Sequence, residues 1–109
     1  MQENMISSTN NLHGKQIKES LGMVFGTTIR TRGIFGNILV WLESIKGGKV
    51  KSYLSELEKA RIEATKDMVR NAEKLRADGI VGVDFDMSEV LNNKMMVSVN
   101  GTAVKFVEE

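Results

Sequence analysis

The stretch "MMVSVNGTAVKF", Met95 to Phe106, decides the fold. Its composition is that of a strand, but its apolar positions change phase. Met95, Val97 and Val99 are odd, whereas Val104 and Phe106 are even. Asn100-Gly101 sits at the change. Asn-Gly supplies two positive φ values at low cost, so a two-residue hairpin turn is one reading. It would pair Val99 with Thr102 and Val97 with Val104. The other reading is a single long strand with a bulge, since one extra residue exchanges the two faces of a strand.

Upstream, "IVGVDFDM" (80–87) alternates as a strand should, with Val83, Phe85 and Met87 in phase. Asp84 and Asp86 share the opposite face. "SEVLNNK" follows, and Asn92-Asn93 has the chemistry of a chain reversal. Before this strand, residues 51–77 contain no Gly or Pro. Tyr53, Leu57, Ala60, Ala64, Met68, Ala72 and Leu75 recur at intervals of three and four, which predicts one long helix with one buried face. Ser52 or Ser55 can cap its start, Ser55 with Glu58 as a capping box, and Asp78-Gly79 ends it. The alanines let the helix axis lie close to a sheet. Ile62 and Val69 stand off the main stripe and can mark a second, weaker contact face.

"GIFGNILVWLESIKGG" (33–48) predicts a short helix, apolar on more than one side and closed by Gly47-Gly48. A small domain has little material to cover such a helix, so a partner subunit is a natural source. "QIKESLGMVFGTTIRTR" (16–32) predicts a long bent strand. Ile17, Leu21, Met23, Phe25 and Ile29 form its apolar run, and Gly22 and Gly26 mark a bulge or a close backbone approach. Residues 1–12 are rich in Asn, Ser and Thr and are expected to form a flexible arm.

The 109 residues suit one domain. With 41% hydrophobic and 27% charged residues the chain is not a disordered tail. Fifteen basic against 14 acidic residues give a formal net charge of +1, which argues against a general nucleic-acid binder. There is no Cys, which removes disulfides and thiolate chemistry and fits a reducing compartment. The start has neither the basic flank nor the apolar run of a signal peptide. The longest dense apolar stretch, "IFGNILVWL", is far short of the ~20 residues a membrane span needs. A cytoplasmic protein without a membrane segment is expected.

The segments "LGMVFG", "GGKVKSYLSELEKARIEA", "ADGIVGVDFD" and "NGTAVKF", in this order and spacing, resemble the YbjQ-like family, whose members are often labelled heavy-metal-binding. The resemblance runs from about Leu12 to Phe106. It implies an α+β fold of the dodecin-subunit type: a two-layer β-α-β-β unit with a three-stranded antiparallel sheet packed on the long helix, the last strand central, and a short extra helix. It also implies a homo-oligomer, with a ring-shaped pentamer favoured. Under that resemblance Met95–Phe106 is one central strand and Gly101 a bulge.

The label directs attention to metal ligands. Soft metals want thiolate, thioether or imidazole. The chain offers one His and seven Met. His13 lies in the expected arm and can form a site only if several chains converge. Met95 and Met96 are adjacent on a strand and point to opposite faces, so one chain cannot clamp a metal with both. Met23 and Met68 lie on apolar patterns and are read as core filling. Asp84 and Asp86, some 6–7 Å apart on one strand face, can take a divalent metal ion with help from Glu89 or a neighbouring subunit. The plainer reading of the pair is a solvated strand face. "KGGKVK" (46–51) precedes the helix but lacks the GxxxxGK[ST] pattern, so it is no phosphate loop. No nucleophile–base set is present, because the only His lies outside the folded elements, and no enzymatic role is expected.

Overall fold

The computed structural model describes residues 1–31, 50–91 and 94–108. Strand β1 (Ile17–Thr31) is followed by helix α1 (Val50–Lys74), then β2 (Gly79–Leu91) and β3 (Lys94–Phe106). The sheet order is β1-β3-β2, and β3 is antiparallel to both neighbours. This is the expected two-layer α+β unit with the last strand in the middle. The short helix expected over 34–45, the Gly47-Gly48 stop and the Asn92-Asn93 reversal fall outside the described residues. Leu91 and Lys94, which flank that reversal, are paired.

Asn100-Gly101 is neither a hairpin nor a bulge. β3 runs straight through it, and β1 residues 22–31 pair with β3 residues 103–94 one to one. The extra residues lie in the flanking strands. β2 gains one between Val81 and Asp84, with Gly82 at φ 64°, and one between Glu89 and Leu91; β1 gains one at Gly22, at φ 110°, and one between Ile17 and Glu19. Gly82 and Gly22 are glycine positions because L side chains rarely adopt that backbone region. Gly101 is needed for a different reason: a Cβ there would come within 2.6 Å of Ile80 Cγ2.

The apolar phase change has another origin. Met95, Val97, Val99, Gly101 and Ala103 are all buried on the helix-facing side of β3. Val104 and Phe106 are buried on the opposite side, with Val81, beneath Met5, Leu12 and Ile17. The strand keeps its alternation, and a second small core forms at one end of the other face. The N-terminal residues build it. The expected arm makes a 3-10 turn at Glu3–Met5 and then lies along the edge of β2. The Ser7 amide donates to the Ile80 carbonyl (2.9 Å), and the Gly82 and Val83 amides donate to the Thr9 and Ser7 carbonyls (2.8 and 3.0 Å).

The main core lies between α1 and the sheet. Leu57, Ala60, Ala64, Met68 and Ala72 are buried, as the three-and-four spacing predicts. Leu75 is exposed, because the helix ends at Lys74. The stop is Arg76, at φ 62°, rather than Asp78-Gly79. The Ala77 amide donates to the Ala72 carbonyl and the Arg76 amide to the Glu73 carbonyl, a Schellman arrangement. Ser52 and Ser55 lie inside the helix and do not cap it.

The small side chains on α1 bring its backbone against β1. A Cβ on Gly26 would lie 2.5 Å from the Met68 amide nitrogen and still closer to the Ala64 carbonyl oxygen. Gly22 is therefore the bulge and Gly26 the close approach. This contact also selects which face of β1 is buried. Val24 and Gly26 face the helix, while Met23, Phe25 and Ile29 are exposed on the other side. The expectation that Met23 fills the core is overturned, whereas Met68 is fully buried.

Candidate functional site

Asp84 pairs with Asn100 and Asp86 with Ser98 across the β2-β3 ladder. Cross-strand partners share a face. Even-numbered β3 residues face away from the helix, so both carboxylates lie on the helix-free face, and both residues are exposed. Their spacing is one strand repeat, about 6.5–7 Å. That separation suits two carboxylates reaching a common hard cation, or two solvated side chains.

His13 is exposed in the turn closed by the Lys15 amide on the Leu12 carbonyl (3.0 Å). Leu12 packs on the cluster of Val104 and Phe106. Asp84 sits beside Asn100, which places it roughly 13–20 Å away along β3. The two aspartates are therefore brought together and the histidine is not. Met95 is buried and Met96, on the other face, is half-buried, so that pair does not converge. Among the described residues no three His, Cys, Asp or Glu side chains group as a metal centre.

Two surface features were only partly visible in the sequence. On the helix-free face, Met23, Phe25 and Ile29 project from alternate positions of β1 and stay exposed. They pair with Thr102, Asn100 and Met96, so they share the face of Asp84 and Asp86. On the helix side, α1 crosses β1 and β3 and leaves the middle of β2 uncovered. Phe85 and Met87, in phase with the core, are exposed there. A groove of about 630 Å³ lies beside Phe85, lined by Ile6, Ile62 and Val69 with Arg61 and Lys66 at its rim. The off-stripe positions Ile62 and Val69 were the signal that could have found it.

The edges of the sheet are finished by side chains and by the N-terminal segment. Asn71 Nδ2 donates to the Phe25 carbonyl (2.7 Å), and the Thr27 amide donates to Asp67 Oδ2 (3.1 Å), which occupies the outer edge of β1. Further along β1, Arg30 reaches Glu56 (3.5 Å) and Glu63 (2.6 Å), and Thr28 donates to Glu63 (2.9 Å). These pairs are partly exposed and are structural links between strand and helix.

A two-layer α+β protein with a paired-carboxylate face and uncovered apolar side chains is the class defined by this geometry. The chain belongs to the YbjQ-like family, whose model, described as "Putative heavy-metal-binding", matches residues 4–107. It is 37% identical over 100 residues to a UPF0145 protein of Sulfurisphaera tokodaii, covering 92% of this chain and 88% of that one. It is 38% identical over 103 residues to a UPF0145 protein of Methanosarcina acetivorans, covering 94% and 97%. A crystal structure of a protein of unknown function from Pediococcus pentosaceus superposes with a TM-score of 0.62 at 18% identity, covering 94% of this chain and 96% of that one. That likeness supports the fold.

The residues do not fit the family description in its soft-metal sense. The whole sequence has no Cys and a single His, so neither a thiolate set nor a multi-imidazole set can be built within one chain. The oxygen donors Asp84 and Asp86 suit a hard cation instead.

Proposed function

We propose that the protein is a homo-oligomeric binding protein, with a divalent metal ion or small ligand held at subunit boundaries. The family resemblance favours a ring of five copies, and the lack of Cys suits a reducing, cytoplasmic setting. The observation that carries the reading is the exposure of large apolar side chains on both sides of a thin sheet, Met23, Phe25 and Ile29 on one and Phe85 and Met87 on the other. Such surface is ordinarily covered by a partner. One copy brings two carboxylates to the helix-free face, and a hard cation takes six or more oxygens, so a neighbouring copy supplies the balance. The role is binding rather than catalysis.

Native mass spectrometry of the purified, tag-free protein tests this. The expected spectrum shows one oligomer carrying added mass from a retained ion or small molecule. In Asp84→Asn/Asp86→Asn the oligomer should persist and the added mass should disappear. An unliganded oligomer, with no binding of divalent cations or common anions by calorimetry, would instead favour a ring that serves only as a protein-interaction module. The shortage of metal donors in this chain supports that second reading.

A further inference from the structure

We propose that the groove between α1 and β2 binds a medium-chain fatty acyl anion, its chain on the apolar walls and its carboxylate at Arg61 and Lys66. The inference rests on the small-ligand part of the reading above and places that ligand within one chain, away from Asp84 and Asp86. The groove holds about 630 Å³, inside the ~300–1,000 Å³ range of small-molecule pockets. Its apolar walls are Ile6, Ile62, Val69 and Phe85, mostly aliphatic. Such walls suit a hydrocarbon chain, whose burial is favourable in proportion to the area removed from water. The bound chain covers Ile62 and Phe85, both exposed without it.

The charges of the groove are sorted along its length. Helix α1 ends shortly before β2 begins, so the two elements run in opposite directions. Arg61 and Ile62 therefore fall beside Phe85. Glu73 falls at the other end, beside Ile6, which is bridged to Ile80 near the start of β2. From Arg61 to Glu73 the helix rises about 18 Å. Arg61 and Lys66 are exposed at the Phe85 end, and among the described residues neither is in an ion pair. Their stems extend the apolar wall and their heads offer charge-assisted hydrogen bonds to a carboxylate. Arg70, further along, is held by Asp67 (3.5 Å). Glu3 joins Glu73 at the Ile6 end. One anionic head is attracted to the first end, whereas a second would meet the acids at the other. A monoanion with an apolar tail fits this arrangement; a cation or a dicarboxylate does not.

Calorimetry of the full chain tests this with decanoate as the probe. One decanoate should bind per chain, and octanoate, shorter by two methylenes, should bind roughly 4- to 15-fold more weakly. Decyltrimethylammonium and the ten-carbon dicarboxylate sebacate should each bind at least ~10-fold more weakly than decanoate. In Arg61→Glu/Lys66→Glu, folded by circular dichroism, the preference should reverse towards the cation. In Ile62→Ser both heads should lose affinity together, roughly 3- to 10-fold. If the charge reversals unfold the chain, Arg61→Gln/Lys66→Gln reads the same preference as a loss of discrimination. No decanoate binding, equal binding of the two heads, or an unchanged preference in the Arg61/Lys66 variants would overturn the assignment. Asp84→Asn/Asp86→Asn should bind decanoate as the parent does, and loss there would move the site out of the groove and overturn it. A retained ion lost from that variant, with decanoate binding intact, bears only on the earlier reading.

Discussion

The contact at Gly26 predicts a large penalty for a single methyl group. In Gly26→Ala the new Cβ would lie 2.5 Å from the Met68 nitrogen, 3.0 Å from Met68 Cβ, and closest of all to the Ala64 carbonyl oxygen. Ordinary contact begins near 3.4 Å, so the helix must retreat by about 1 Å. That retreat opens a gap beneath Ala60, Ala64, Met68 and Ala72 together, all of them fully buried. A radial gap of that size forfeits roughly a quarter to a half of each dispersion contact. Overpacking of this kind costs about 1–3 kcal/mol and occasionally more. The entropy that alanine saves in the unfolded chain returns only about 0.4–1 kcal/mol. Because the obstacle is main chain, the cost falls at the upper end of that range and a net loss of about 2 kcal/mol follows, a sizeable part of the 5–15 kcal/mol typical of a domain. Urea denaturation at fixed protein concentration should show the midpoint falling by roughly 1–2 M. The obstacle is main chain, so trimming a neighbouring side chain brings no relief, and Gly26→Ala with Ala64→Gly should be no more stable than Gly26→Ala alone. A Gly26→Ala protein as stable as the parent would refute the reasoning.

Asn71→Ala removes the hydrogen bond to the Phe25 carbonyl and should cost about 1 kcal/mol; Asp67→Ala should speed hydrogen exchange of the Thr27 amide, read by NMR. Met5→Ala thins the cover over Phe106 and should lower stability by about 1–2 kcal/mol, less than a fully buried methionine would, by thermal denaturation. Gly101→Ala should destabilise by about 1–3 kcal/mol through its clash with Ile80 Cγ2, whereas a glycine serving only a hairpin turn would show no dependence on residue 80; Gly101→Ala with Ile80→Ala, which removes that methyl, measures the coupling. Arg76→Gly relieves a left-handed residue and should raise the melting temperature by a few degrees, a gain of about 0.5–1 kcal/mol.

Helix α1 was legible because one face of a 25-residue helix obeys a single periodicity and meets a single layer. The strands were harder. An alternating strand announces two faces without saying which is covered, and on β1 the larger side chains, Met23 and Phe25, turned out to be the uncovered ones. The deciding residue there was Gly26, whose lack of a side chain admits the helix. On β3 the double phase arose because sequence-distant residues, Met5 and Leu12, cover Val104 and Phe106 from the other side. A window of a dozen residues contains no trace of a cover supplied from ninety residues upstream. The aspartate pair was placed correctly on one face because a two-residue period suffices for it. The groove was missed because it depends on where α1 crosses the sheet, and only Ile62 and Val69 hinted at that.

The middle strand of this sheet is also its latest in chain order, and neither outer strand touches the other. During synthesis, β1 and β2 emerge before the strand that joins them. Ile17 waits for Phe106 and Ile6 for Ile80. The three-stranded sheet therefore cannot be completed until residues 94–106 have been made. A stalled or truncated product lacking residues 94–106 should leave β1 and β2 unjoined, and should be a preferred client of chaperones and proteases.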